Sequence, residues 1–562
     1  MSSDDVPRSG EVTTASEPAL RFALRPDPSP VRRWMRAARI LLGSPRETAA
    51  ILRARMTARR VRARQAWASL VGLDHRALWQ KPRAGLDSDG IDPIPAGVEV
   101  RSIRDPVRPA TAPILILDAP GHERLPGAAA AIRDAFARHP ERQILYGDAR
   151  LIRADGAALP LLRPAFDPDY LMAVDYIGPV IALRWEAWDA LAPGTTDAGR
   201  ATDLILRVAA RDGPGAIGHL PRVLSRVRLA SVGEGGEPTR TSAHHAVVRQ
   251  ALDRTEQHAV ATEQGADGIL TLRRPMPPEP PLVSLIVPTR DRLDLLRPCI
   301  MSLLDRTDWP AREILICDND SAEPETHAYF RDLAARGQAR IVSWPGAFDF
   351  AAMNNAAARA ARGQVLAFVN NDVEAHQTDW LDRLVREALR PEIGAVGPKL
   401  IDGTGRIQHG GVILGPGGLV IHGHRFFPGD APGYLGALSA TRAVSAVTAA
   451  CLVVEARKFE RVGGFDAAAF AVDFNDVDLC LRLNAAGHRS LFVPGAVLNH
   501  YEAASRRWTP TARARHVREV AALKERWGPL LTQDPHYHPG FDPDLGTYAR
   551  ARPGWTGAVS PR

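Results

Sequence analysis

The chain has 562 residues, 45% hydrophobic and 24% charged, with a formal charge of +7. These values fit an ordinary globular protein of two or three domains. No run approaches the roughly 18 apolar residues of a membrane span, and Met1–Glu17 is polar without a secretory core, so the expected location is the cytoplasm.

The first segment, residues 1–96, concentrates positive charge: Arg32, Arg33, Arg36, Arg39, Arg53, Arg55, Arg59, Arg60, Arg62 and Arg64 stand against Glu47. Apolar residues interleaved at helical spacing predict a basic amphipathic helix that could lie on the anionic inner membrane leaflet, or an arginine face packed on the protein itself. Nucleic acid is not an expected partner, because no helix-turn-helix, zinc-ligand or RNA-binding aromatic pattern is present.

Residues 97–270 repeat, in order, pieces found later in the chain. Ile114–Pro120 resembles Leu366–Asp372, Gly147–Ile152 resembles Gly397–Ile401, Thr202–Arg207 resembles Val477–Arg482, and His219–Leu224 resembles Phe492–Leu498. Pro120, Ala201 and Arg226 fall opposite Asp372, Asp476 and His500 in this alignment, and counterparts of the strands at 284–288 and 313–317 are not evident. The expectation is a duplicated, truncated and inactive half.

Residues 271–281 form a proline-rich linker. From 282 to 535, short apolar runs and amphipathic segments alternate: strands at 284–288, 313–317, 340–344 and 365–369, and helices at 293–304, 325–336 and 350–362. This rhythm predicts an α/β domain built on a mostly parallel, doubly wound sheet with flanking helices. Glycine-rich segments follow beyond Pro398, then a helix starting near Asp476; residues 536–562 read as a tail. Cys299, Cys317, Cys451 and Cys480 lie far apart, as expected of reduced, buried thiols.

Asp372 closes the apolar run 365–369. At the carboxyl end of a parallel strand it would face a ligand, and a hard oxygen donor there suits Mg²⁺ or Mn²⁺ with substrate phosphates completing the shell. The alternative is a turn or a cap for the helix near Thr378. Likewise Asp318 is suited either to accept a base N–H or to make an Asx turn, and Asp476 is either a reactive carboxylate or a first-turn acid favoured by the helix dipole. Neither a phosphate-binding GxxxxGK[ST] loop nor a dinucleotide GxGxxG follows the first strand.

Five motifs in order, Val283–Arg290, Ile314–Ser321, Val369–Asp372, Phe474–Arg482 and Asn499–Arg506, together resemble family 2 glycosyltransferases of the GT-A fold. The likeness extends over about 282–535 and is greatest to bacterial enzymes of O-antigen and other surface polysaccharides, some with two such domains in tandem. The resemblance implies a nucleotide-diphosphate sugar donor, a glycan or lipid-linked oligosaccharide acceptor, and a divalent metal. It implies that Pro288, Thr289, Arg290, Asp318, Asn319, Asn355 and Asn371 bind the nucleotide sugar, and that Asp372 and His500 hold the metal. Asp476 would be the general base of an inverting displacement. Asp478 would orient the helix or contact the acceptor, paired with Arg482. The family's usual glutamate before the base is Asn475 here. Two competing readings remain: a sugar nucleotidyltransferase, and a non-catalytic glycan-binding scaffold.

Overall fold

The computed structural model describes residues 92–105, 111–153, 156–189, 199–228, 239–265, 267–501, 509–542 and 548–552, with a few single positions elsewhere. The arginine-rich helix expected within residues 32–64, and residues 502–506 of the last motif, lie outside the described residues. Two units have the main spans Arg76–Gln257 and His258–Arg552. No helix of the described residues is long and apolar enough to cross a membrane. All four cysteines are buried and outside any disulfide.

In the first unit, strands β1 (Val98–Ser102), β2 (Ile114–Asp118), β3 (His122–Arg124), β4 (Ile144–Ile152), β5 (Ala158–Leu161), β6 (Ile181–Arg184) and β7 (Ile217–Arg228) form one sheet. Its order is β1-β2-β6-β4-β7-β3, with β5 paired to β4. The Ala128–Arg138 helix buries Ile132 and Phe136 against Ile114, Ile116 and Leu145. In the Arg200–Asp212 helix, Asp203 is wholly buried and pairs with Arg207 at 2.8 Å.

The second unit opens with a hairpin, β8 (Ala261–Gln264) and β9 (Leu270–Arg273), whose Arg273 reaches Asp382 at 3.1 Å. That contact explains why the division between units falls before the proline-rich segment rather than within it. The main sheet then uses β10 (Val283–Thr289), β11 (Arg312–Asp318), β12 (Arg340–Ser343), β13 (Val365–Val369), β14 (Val373–Ala375), β15 (Ile393–Ile401) and β16 (Ile407–His409). A small hairpin, β17 (Val412–Leu414) and β18 (Val420–His422), stands apart, and β19 (Arg442–Val444), β20 (Cys451–Glu455) and β21 (Arg489–His500) complete the sheet.

Its order is β12-β11-β10-β13-β20-β15-β21-β14. The first four strands are parallel, as expected; β20 then enters antiparallel to both β13 and β15, and β15 runs parallel to β21. β10 and β13 are buried along their whole length because helices cover both faces. The Leu293–Asp305, Pro324–Ala335 and Phe350–Ala360 helices fall where the amphipathic pattern placed them. Asp349 caps the last by accepting from the Ala352 N–H, and Pro324 starts the second from a position that needs no N–H. Much of the segment read as a tail packs on this unit: Tyr548 stacks on His424 at 4.2 Å and Phe541 meets Tyr434 at 4.9 Å.

Without β11, β12 and β19, the second sheet reads β10-β13-β20-β15-β21-β14 with β16 on β15, and every pairing has the direction of its counterpart in the first sheet. The internal repeat is therefore a repeat of fold. Two details of the sequence alignment change. The counterpart of β10 does exist: it is β1, hidden because Val-Glu-Val-Arg-Ser is not a continuous apolar run. The alignment is also one residue out at the strand ends. Val373 pairs with His500, whereas His122 pairs with Val227, so Gly121 and Val227 occupy the positions of Asp372 and His500. Ala201 keeps its place opposite Asp476, each being second in its helix. None of the three offers a metal ligand or proton acceptor.

Candidate active site

β14 is three residues long, and its pairing with the end of β21 brings Asp372 beside His500. Asp372 Oδ1 lies 3.2 Å from His500 Nε2, with the side chains 10% and 7% exposed. The Tyr501 N–H donates to the Asp372 carbonyl at 3.0 Å and fixes the turn. Apart from the His500 contact, Asp372 Oδ1 is buried without a hydrogen-bond partner among the described residues, and a buried unpaired polar atom calls for a ligand or ion. Adjacent ligands of an octahedral ion at about 2.1 Å stand roughly 3 Å apart. The Asp372 and His500 pair meets that spacing; its carboxylate suits Mg²⁺ or Mn²⁺, while the imidazole is a better donor to a transition ion such as Mn²⁺ than to Mg²⁺.

A line of contacts joins this pair to the first two parallel strands. Asn371 Nδ2 donates to Thr289 Oγ1 at 2.9 Å, Thr289 is in register with Asp318, and the Asn319 N–H donates to the Thr289 carbonyl at 2.9 Å. Asp318 uses Oδ1 to accept the Ser321 N–H at 3.1 Å; its other oxygen carries no hydrogen bond among the described residues. The Asx turn thus leaves one oxygen of the carboxylate uncommitted. Asp291 locks the neighbouring loop by accepting from Ala322 N and Glu323 N at 2.7 and 2.9 Å. Asp291, Arg292 and Asp320 sit at φ of 50°, 54° and 51°, left-handed conformations that cost non-glycine residues about 1–2 kcal/mol each.

Three residues assigned to the nucleotide have other surroundings. Asn319 is fully buried and holds the carbonyls of Trp344 and Gly346 at 3.3 and 2.8 Å, so it shapes the loop from behind. Asn355 spends its whole amide on Phe465, donating to the carbonyl at 2.7 Å and accepting the N–H at 2.9 Å. Pro288 is buried within β10, while Arg290 is exposed just beyond Thr289.

Asp476 occupies the first turn of the Asn475–Ala485 helix, entered through Phe474 at φ 63°. Its Oδ2 accepts the Ala449 N–H at 3.0 Å and its Oδ1 the Val477 N–H at 2.9 Å. Ala450, next to Ala449, accepts the Asn370 N–H at 2.9 Å. Asp476 and the Asn370–Asp372 turn are therefore held by consecutive residues of one loop. Burial raises the Asp476 carboxyl above its usual range, against the opposing pull of the Ala449 and Val477 N–H groups and the Thr448 hydroxyl. Asn475, in the place of the family's glutamate, is buried and ties down the Val472 carbonyl at 2.9 Å.

Asp478 is wholly buried and accepts from Arg482 at 2.7 Å, Arg526 at 2.8 Å and the Trp527 indole at 3.0 Å, leaving it no face for an acceptor. The Asp203 and Arg207 pair of the first unit reproduces the Asp478 and Arg482 contact where Asp476 has no counterpart. The pair therefore serves the helix.

Sequence reasoning missed the Thr448–Ala450 loop, whose only signal is its place just before β20, and it missed His409 and His422. Their Nδ1 atoms are 2.8 Å apart. Burial first, then the charge of Arg442, pushes His409 down to about 3, and burial likewise holds His422 well below the usual imidazole range, so both rings are neutral near pH 7. The histidines of the glycine-rich segment 409–424 were the available signal.

Residues 284–412 match the model of Glycosyl transferase family 2. The chain is 35% identical over 442 residues to "Uncharacterized protein y4gI" of Sinorhizobium fredii, covering 76% of this chain and 48% of that protein. It is 36% identical over 425 residues to the "O-antigen biosynthesis protein RfbC" of Myxococcus xanthus, covering 74% and 32%. The chain thus spans less than half the length of these two relatives. A solved mannosyltransferase from Pyrobaculum calidifontis, in complex with GDP-Man and Mn²⁺, aligns over 47% of this chain and 69% of its own at 19% identity and a TM-score of 0.34. The match to Glycosyl transferase family 2 lies within the second unit.

Proposed function

We propose that the second unit transfers a sugar, with inversion, from a nucleotide-diphosphate sugar to a hydroxyl of a growing surface glycan. The observation that carries this reading is the shared scaffold of Asp372, His500 and Asp476: one loop, Thr448–Ala450, holds the carboxylate of Asp476 and the turn of Asp372, while β14 holds Asp372 against His500.

Thr289, Arg290 and the unbonded oxygen of Asp318 bind the nucleotide at the ends of β10 and β11. Asp372 and His500 would hold a divalent cation, which would supply charge neutralisation for the departing diphosphate. Asp476 accepts the proton of the acceptor hydroxyl as that oxygen forms its bond to the anomeric carbon; the bond to the diphosphate oxygen breaks and its electron pair leaves with the nucleotide. The raised Asp476 carboxyl strengthens it as a base.

The first unit, whose described residues hold no counterparts of β11, β12 or the three reactive side chains, serves as an inactive platform. A lipid-linked oligosaccharide is the acceptor class that a basic, membrane-docked N-terminal segment would serve; deletion of that segment tests it through membrane association.

The reading predicts metal-dependent release of a nucleoside diphosphate when the protein is given its donor sugar and acceptor. Asp476→Asn should abolish turnover and leave nucleotide binding in place. Release of pyrophosphate, or full turnover by Asp476→Asn, would overturn it.

A further inference from the structure

The β8 and β9 hairpin, the Trp380–Ala388 helix, the segment 438–441 and the turn 493–495 enclose a cleft of about 280 Å³, the lower end of small-molecule sites. Lys399 of β15 lies in its wall and is only 9% exposed. Its ammonium makes no ion pair or hydrogen bond among the described residues. The guanidinium groups nearby are already committed: Arg273 and Arg386 to Asp382, and Arg383 to Asp379. Burial pulls Lys399 down to about 8, outweighing the opposing charges of Asp267, which lines the same cleft without bonding to it, and of Asp430. A buried cation without a partner is costly, and an incoming anion would relieve that cost.

The rest of the lining narrows the class of anion. Glu263, Ser439 and Thr441 present side-chain oxygens with no hydrogen bond among the described residues, beside apolar Leu438 and Pro494. Acceptors and hydroxyls around a small apolar surface match a sugar ring, which offers hydroxyls at its rim and C–H groups on its faces. We propose that this cleft binds a carboxylate-bearing saccharide unit, its carboxylate on Lys399 Nζ and its hydroxyls on Glu263, Ser439 and Thr441. Lys399 is in register with Val497 of β21, three residues before His500 and so roughly 10 Å along the strand. An acidic glycan acceptor could extend over that distance. The choice of a saccharide rests on the function proposed above; the anion site itself does not.

The test is calorimetric titration of the full chain with glucuronate, glucose and inorganic phosphate, repeated with Lys399→Met and with Asp372→Ala. Glucuronate should bind at least about tenfold more tightly than glucose, as a charge-assisted hydrogen bond requires, and more tightly than phosphate. Lys399→Met should erase that preference and Asp372→Ala should keep it. In the unmodified protein, affinity should fall as pH rises through about 8, where Lys399 loses its proton; this arm stands even if Lys399→Met does not fold. Equal binding of glucuronate and glucose, a pH-independent affinity, or phosphate binding in preference to glucuronate would overturn the proposal. Glucuronate binding that survives in a protein inert toward every nucleotide sugar would defeat the transferase reading and leave the cleft standing.

Discussion

At Asp476, the direction of the carboxyl shift fixes two opposite pH effects. Because burial raises its folded-state value, the carboxylate is lost as pH falls through that raised value, and the acid limb of kcat/KM should lie above the ordinary carboxylate range. The same shift favours the protonated folded protein, so this residue's contribution to stability is full in acid and lost as pH rises through the raised value. Asp476→Asn should lower kcat roughly 10²–10⁴-fold, measured with saturating donor. Asp478 should behave differently. Asp478→Asn removes the charge facing Arg482 and Arg526 in a buried setting and should cost about 3–5 kcal/mol in chemical denaturation. Sequence alone could name both aspartates from one motif. The resemblance gave them different roles but left open whether Asp478 supports the helix or contacts the acceptor, because a spacing of two gives no information on which side of the helix meets Arg526 and Trp527.

Among the elements, the 463–465 turn links two helices. Asn355 of the Phe350–Ala360 helix clasps Phe465, while Arg482 of the Asn475–Ala485 helix donates to the Gly464 carbonyl at 2.7 Å. Gly464 has φ 68°, and a Cβ there would lie 2.7 Å from Asn355 Oδ1. Gly464→Ala should therefore destabilise the unit by about 1–3 kcal/mol, read as a fall in midpoint without loss of metal binding. The strands β10, β11 and β13 were legible because each is an uninterrupted apolar run capped by polar residues. The antiparallel entry of β20 was not, since a buried strand has the same composition in either direction. The role of Asn355 was equally hidden: its partner is a backbone more than a hundred positions away.

For the molecule as a whole, ligand-dependent stabilisation should belong to one unit. A nucleoside diphosphate with Mn²⁺ at about 100 times its dissociation constant should add about 2.7 kcal/mol to the unfolding transition of the second unit and nothing to that of the first. Differential scanning calorimetry separates the two, and Asp372→Ala should remove the effect. The repeat was visible in sequence wherever both copies kept apolar strands. It faded at β1, and the structure gives the reason. The strand matching β10 has lost its outer neighbours, so among the described residues β1 borders the sheet with β2 on one side only. Its backbone there is a template for an incoming chain, and Glu99, paired at 2.6 Å with the buried Arg101, places a charge along it that disfavours such an intruder. Replacing both with valine should leave the monomer folded while light scattering rises with concentration; the charged pair that concealed this strand from the reader also guards it against self-association.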